Sequence, residues 1–187
     1  MGDAVHRGQA AGGAGLIEQL PDPEPEPTQA GSLQWVGMLA VAAVAIVADQ
    51  LTKKAIAGGF NLGDSRELLP FLDIRHVRNT GIAFGALQGR LELVSLLTGV
   101  AVAWMIVHFA RSGSRHVIFP VALGLLIGGS VSNLVDRVRF GYVTDFIHLS
   151  HWPTFNLADT FIVVGVALLL FGLARSDRAG SVLPEQS

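Results

Sequence analysis

The chain has 187 residues, 50% of them hydrophobic and 15% charged, with a mean hydropathy of +0.48. Soluble domains carry about 25% charged residues, so this composition points to a membrane protein. A formal net charge of −2 without a Lys/Arg run excludes a nucleic-acid partner, and the lack of cysteine excludes disulfides, Cys-zinc sites and a cysteine nucleophile.

Residues 1–32 come first. They include Pro-Asp-Pro-Glu-Pro-Glu-Pro at 21–27 and hold too little apolar surface for a core, so they are expected to form a disordered tail. The acidic character and the late apolar stretch argue against a secretory signal. Four apolar segments follow, at about 33–57, 91–110, 117–135 and 157–174. Each is close to the ~20 residues that cross a ~30 Å hydrocarbon core. A backbone in lipid must satisfy its own polar groups, so these segments are expected to be helices. The alternative, a very hydrophobic soluble bundle, is disfavoured because the second and fourth segments have almost no polar face.

The connections are unequal. The first (58–90) and third (136–156) are long, whereas 111–116 is a tight turn. That turn makes an antiparallel hairpin of the second and third helices. It sets the two long loops on one side of the membrane, opposite the turn and both termini. In the first loop Leu72, Ile74 and His76 alternate with Asp73 and Arg75, which predicts a short strand or two at the interface. Asn79-Thr80-Gly81 reads as a turn.

This topology gathers polar residues on the long-loop side. Asp49, Gln50, Thr52 and Lys53 end the first helix, and Asn133, Asp136 and Arg137 end the third. Asp145 lies in the third loop, and Asn156 and Asp159 open the fourth helix. Ionisable groups in spans cost roughly 2.5–3.5 kcal/mol each at a helix centre, so they are functional candidates. Several also have a purely structural reading. Asn156 and Asp159 fit a capping box. Asp136 and Arg137 fit an interfacial ion pair, and Asn133 and Arg137 fit an i,i+4 bond. Asp49 fits a structural partner of Arg137 or Lys53. Gly124, Gly128 and Ser132 form a small-xxx-small seam, and Ser130 and Ser132 read as packing. Asp145 is the hardest to explain structurally, because its apolar neighbours in Tyr-Val-Thr-Asp-Phe-Ile-His desolvate a carboxylate.

Two carboxylates on one face permit a dyad that shares a proton, one activating water and the other polarising a carbonyl. A helix N-terminus favours negative charge at Asp159, which makes Asp159 the expected base and Asp145 the expected protonated acid. No H-E-x-x-H is present, and His148 and His151 lack a third ligand, so no metal is expected. No G-x-S-x-G, P-loop or G-x-G-x-x-G occurs. Rival readings of the same acids are a proton relay in a small transporter and helix caps in an assembly subunit.

Five blocks, in order over about 33–174, carry a resemblance. They are Asp49-Gln50-Leu51-Thr52-Lys53; Asn79-Thr80-Gly81-Ile82-Ala83-Phe84; Gly128-Gly129 with Asn133-Leu134-Val135-Asp136-Arg137; Val143-Thr144-Asp145-Phe146; and Phe155-Asn156-Leu157-Ala158-Asp159. With these the sequence resembles bacterial lipoprotein signal peptidase, signal peptidase II. The resemblance implies an all-α polytopic membrane protein, with four transmembrane helices and a small β-rich extracytoplasmic cradle from the first loop. It implies that Asp145 and Asp159 are catalytic. It implies that Asp49, Lys53, Asn79, Gly81, Asn133, Asp136, Arg137 and Asn156 bind substrate or support the site. It implies an endopeptidase that removes signal peptides from prolipoproteins just before a diacylglyceryl-modified cysteine, without metal or cofactor. The implied setting is the bacterial cytoplasmic membrane, with both termini (175–187 as the C-terminal tail) in the cytoplasm and the site near the outer face. Prolipoprotein substrates and membrane lipids are the expected partners, and the chain is expected to act as a monomer. Phe71 and Phe84 are candidates for a lid or clamp.

The sequence departs from the family pattern at Ser132, where glycine is usual and minor repacking is expected. The acidic N-terminal tail is long. Five Lys/Arg fall in the implied cytoplasmic segments and eight in the outer ones, against the positive-inside rule. The implied orientation is kept because Lys53 and Arg137 lie in the matched blocks and Arg78 directly precedes one.

Overall fold

The structure, a computed structural model, describes residues 30–81, 90–111 and 118–180. The N-terminal tail up to residue 29, the Ile82-Ala83-Phe84 part of the second block, most of the 111–116 turn and the last seven residues lie outside them. The elements in order are α1 (Ser32–Gly59), β1 (Ser65–Leu69), β2 (Leu72–Asn79), α2 (Leu91–Arg111), α3 (Ile118–Phe140), β3 (Val143–Leu149) and α4 (Leu157–Gly180). All four helices are long and apolar enough to cross a membrane, with windows of mean hydropathy from 1.7 to 2.3.

The centre of the bundle is α3, which packs against all three other helices. It buries 56% of its apolar window, against 11% for α2, which packs chiefly on α3 and leaves most of its surface uncovered. The expected small-residue seam is present. A Cβ on Gly128 would stand 2.7 Å from the Ala42 carbonyl oxygen of α1, and one on Gly129 would stand 2.5 Å from the Ala158 carbonyl oxygen of α4. Two backbones therefore approach α3 on adjacent faces, which only a hydrogen side chain allows. Met38, Leu123, Leu126 and Ile127 fill the space that remains, with Val102 and Phe109 from α2. Trp35 meets Phe109 edge-to-face at 5.0 Å. Val44, Leu96, Trp104 and Leu170 are exposed, as expected of side chains on membrane-spanning helices.

The third helix runs to Phe140, past the expected apolar boundary at 135, so Asp136 and Arg137, expected at its end, lie within it. Polar partners on α1 receive its last turns and let the helix continue past the apolar segment. It stops at Gly141, whose φ of 76° is left-handed and whose N–H donates to the Arg137 carbonyl at 3.0 Å.

The expected strands of the first loop are β1 and β2, joined in a three-stranded antiparallel sheet ordered β1-β2-β3. The third strand comes from the third loop and was not expected, although Val-Thr-Asp-Phe-Ile-His-Leu is rich in residues that favour strands. Register pairs Val77 with Asp145 and Asn79 with Val143, which puts Asn79 and Asp145 on one face of the sheet. After a short turn the chain returns alongside β3: the N–H groups of Phe146 and Ile147 both donate to the Phe155 carbonyl, at 2.9 and 2.8 Å. That return delivers Asn156, and then α4, next to Asp145.

Candidate active site

The site is built where α1, α3, β3 and α4 meet. Asp49 and Lys53, one turn apart on α1, face inward and form an ion pair at 2.7 Å. The Lys53 ammonium also reaches Asp136 Oδ2 at 2.7 Å and Asn133 Oδ1 at 2.8 Å, so its three protons meet three acceptors. A buried cation with this complement is fully compensated. Asp49 is the expected structural partner of Lys53. It has a second role: its Oδ1 accepts from the backbone N–H of Ala158 at 2.9 Å, satisfying one of the open donors at the start of α4. Asp136 pairs with Lys53 and accepts from Gln50 Nε2 at 2.8 Å. The expected Asp136–Arg137 pair does not form, because Lys53 takes that carboxylate. The expected Asn133–Arg137 bond is likewise replaced, since Asn133 turns to Lys53 and the acids.

The reciprocal capping box at the start of α4 is present. Asp159 N–H donates to Asn156 Oδ1 at 3.0 Å, and Asn156 N–H donates to Asp159 Oδ2 at 3.2 Å. The cap and the site are the same residues. Asp159 Oδ1 accepts from Asn133 Nδ2 at 2.9 Å. Asn156 Nδ2 donates to Asp145 Oδ1 at 2.7 Å and to Asn133 Oδ1 at 3.2 Å. Asp145 Oδ2 accepts from Asn79 Nδ2 at 2.8 Å, and Asn79 Oδ1 accepts from Gly81 N–H at 2.9 Å, which makes the expected turn. Arg137 donates to the Gly81 carbonyl at 3.2 Å. All ten candidate residues therefore lie in one connected region, with Asn156 in contact with both aspartates.

Asp145 is 2% exposed. Burial pushes its carboxyl up to about 7, and the nearby Asp159 charge adds to the rise, against bonds from Asn79 and Asn156 and the Lys53 charge. Both aspartates line a cavity of about 570 Å³, whose polar wall holds Asn79, Asn133, Arg137 and Asn156. The other wall is largely apolar and continues inward along α4 through Ile162, Val163 and Val164 to Thr98 of α2. Two residues of the network were missed as site residues. Gln50, a polar group in an apolar helix, carried a signal. Ser132, taken for packing, donates to Asp49 Oδ2 at 2.7 Å and accepts from Gln50 Nε2 at 2.9 Å.

A buried and a half-buried aspartate lining one cavity, within a bundle of four membrane-crossing helices, fit a membrane aspartic peptidase. The sequence profile of signal peptidase (SPase) II matches residues 41–175, and the chain belongs to that family. It is 33% identical over 141 residues to the lipoprotein signal peptidase of Halothermothrix orenii, an alignment that covers 75% of this chain and 97% of the relative. To that of Paraburkholderia phymatum it is 40% identical over 156 residues, covering 79% and 92%. A solved structure of a bacterial membrane enzyme superposes with a TM-score of 0.74 at 30% identity, covering 86% of this chain and 97% of that one.

Proposed function

We propose that Asp145 and Asp159 are the catalytic dyad of this signal peptidase II and that its substrates are prolipoproteins, cut before a lipid-modified cysteine. The observation that carries this reading is the convergence of the two aspartates on one cavity, both in contact with Asn156. With a carboxyl that holds its proton up to about pH 7, Asp145 donates a hydrogen bond to the scissile carbonyl. Asp159 takes a proton from the attacking water. The tetrahedral diol then collapses as the proton passes to the leaving amine, with no covalent enzyme intermediate. Asn79, Asn133 and Asn156 orient the carboxylates. Arg137, buried beside the cavity and bonded to the Gly81 carbonyl, supports the Asn79–Gly81 turn.

The apolar wall suits a substrate held in the bilayer by its signal helix and acyl chains, and the peptidase unit spans residues 33–174 acting as a monomer. The site belongs at the outer face of the cytoplasmic membrane, with both termini inside. Two of the eight outer cations are ion-paired, Lys53 with Asp49 and Asp136 and Arg75 with Asp73 at 2.7 Å. The test is cleavage of a diacylglyceryl-cysteine peptide by the full chain in nanodiscs. Asp145→Asn and Asp159→Asn should each abolish turnover while the folded protein still binds the peptide. Turnover by either variant would exclude the dyad.

A further inference from the structure

The seam between α1 and α3 contains a hydroxyl that the dyad chemistry does not use. Ser132 follows Gly124 and Gly128 at four-residue spacing and is fully buried. A seam needs only a small residue there, and glycine or alanine would meet that need. Ser132 does more. Its Oγ donates to Asp49 Oδ2 at 2.7 Å and accepts from Gln50 Nε2 at 2.9 Å, so one hydroxyl joins two successive residues of α1 to α3. The bond to Asp49 is charge-assisted and short.

Both residues lead to Asp159. The other oxygen of Asp49 accepts from the Ala158 N–H, one residue before Asp159. Gln50 bonds Asp136, Asp136 pairs with Lys53, Lys53 bonds Asn133, and Asn133 bonds Asp159 Oδ1. One branch thus fixes the backbone beneath Asp159 and the other its side chain. Without the hydroxyl, Asp49 Oδ2 keeps only Lys53, and the ammonium is drawn toward Asp49 and away from Asn133.

We propose that Ser132 is a positioning residue of the peptidase: its hydroxyl locks the Asp49 carboxylate against the first turn of α4 and so sets Asp159 in reach of Asp145 and the attacking water. The proposal rests on the dyad reading. A small displacement of a reacting group costs rate and leaves substrate affinity unchanged, because binding is carried by the rest of the cavity.

The experiment compares Ser132→Ala, Ser132→Gly and Asp159→Asn in the full chain in nanodiscs, with a diacylglyceryl-cysteine peptide. Ser132→Ala should lower kcat about tenfold with KM within about twofold. The fall of kcat at alkaline pH should also move upward, because Lys53 shifts from the dyad and no longer helps to ionise Asp145. Ser132→Gly should behave likewise. If it does not fold, the alanine variant alone decides. Wild-type kcat in Ser132→Ala would overturn the proposal, as would a loss that tracks thermal stability while the pH profile stays fixed. Asp159→Asn separates the two readings. If it is dead while Ser132→Ala is fully active, the dyad stands and the positioning role falls. If it turns over, the dyad itself falls.

Discussion

Asp145 is a carboxyl held where charge is unwelcome. It sits on a strand between Thr144 and Phe146, 2% exposed, with Asp159 facing the same cavity. Burial pushes its carboxyl up to about 7, and the dyad proposed above, which needs this proton, is expected to work below that value. Turnover should therefore fall as pH rises past about 7, approaching tenfold per unit in a kcat profile, whereas Asp145→Asn should show no activity at any pH. Asn156 sets a second expectation. Its amide group donates to Asp145 and its carbonyl oxygen caps Asp159, so Asn156→Ala loses both. Loss of the cap costs about 1 kcal/mol of stability. Loss of alignment should lower kcat about a hundredfold, more than the cap loss explains, as paired denaturation and kinetic measurements would reveal. Asp145 stood out in the sequence as a candidate because an acid among apolar neighbours in a loop is hard to explain structurally, and the structure buries it. Asp159 was legible only as one of two readings, cap or catalyst, and the capping box is present in the same residue. Ser132 was not legible, because a small residue on a seam gives no sign of which polar groups the opposite helix will present.

The helices answer to one rule, that a backbone in lipid must bond to itself, and their number and positions were readable from apolar runs alone. Their ends were less so. The apolar run stops at 135, yet Lys53 and Gln50 on α1 donate to Asp136 and α3 continues to Phe140. The third strand was missed for a related reason: β3 pairs with β2 across a separation of some 66 residues, and no local pattern encodes that partner. The seam, by contrast, was readable and is demanding. Gly129 carries α4 so closely that a Cβ would lie 2.5 Å from the Ala158 carbonyl, a backbone atom that cannot swing aside. Gly129→Ala must push apart the helices that carry Asn133 and Asp159. Overpacking of this kind costs about 1–3 kcal/mol. The variant should lose thermal stability and at least tenfold in kcat. Gly99→Ala on α2, where a Cβ meets nothing within 4 Å, should leave both unchanged.

At the scale of the molecule the bundle is lopsided. The core is α1, α3 and α4, while α2 leans on α3 and leaves the cavity bounded by Thr98 on one side and Ile162, Val163 and Val164 on the other. A substrate anchored in the bilayer cannot enter from water without lifting its acyl chains out of lipid, at about 0.8 kcal/mol for each CH₂ exposed. Under the proposed function such a substrate arrives sideways, and the side where the cavity is walled by two helices that share little contact is the gap between α2 and α4. The chain has no cysteine, so a pair can be introduced without interference. Thr98→Cys with Val163→Cys, joined by a bis-maleimide long enough to span the cavity mouth, should retain the fold and lose cleavage of the lipidated peptide. Each single cysteine treated with the same reagent controls for bulk within the cavity, and its activity should fall less than that of the linked pair. Full turnover by the linked protein would place the entrance elsewhere on the bundle, because a substrate with a membrane-spanning segment cannot pass a closed bridge.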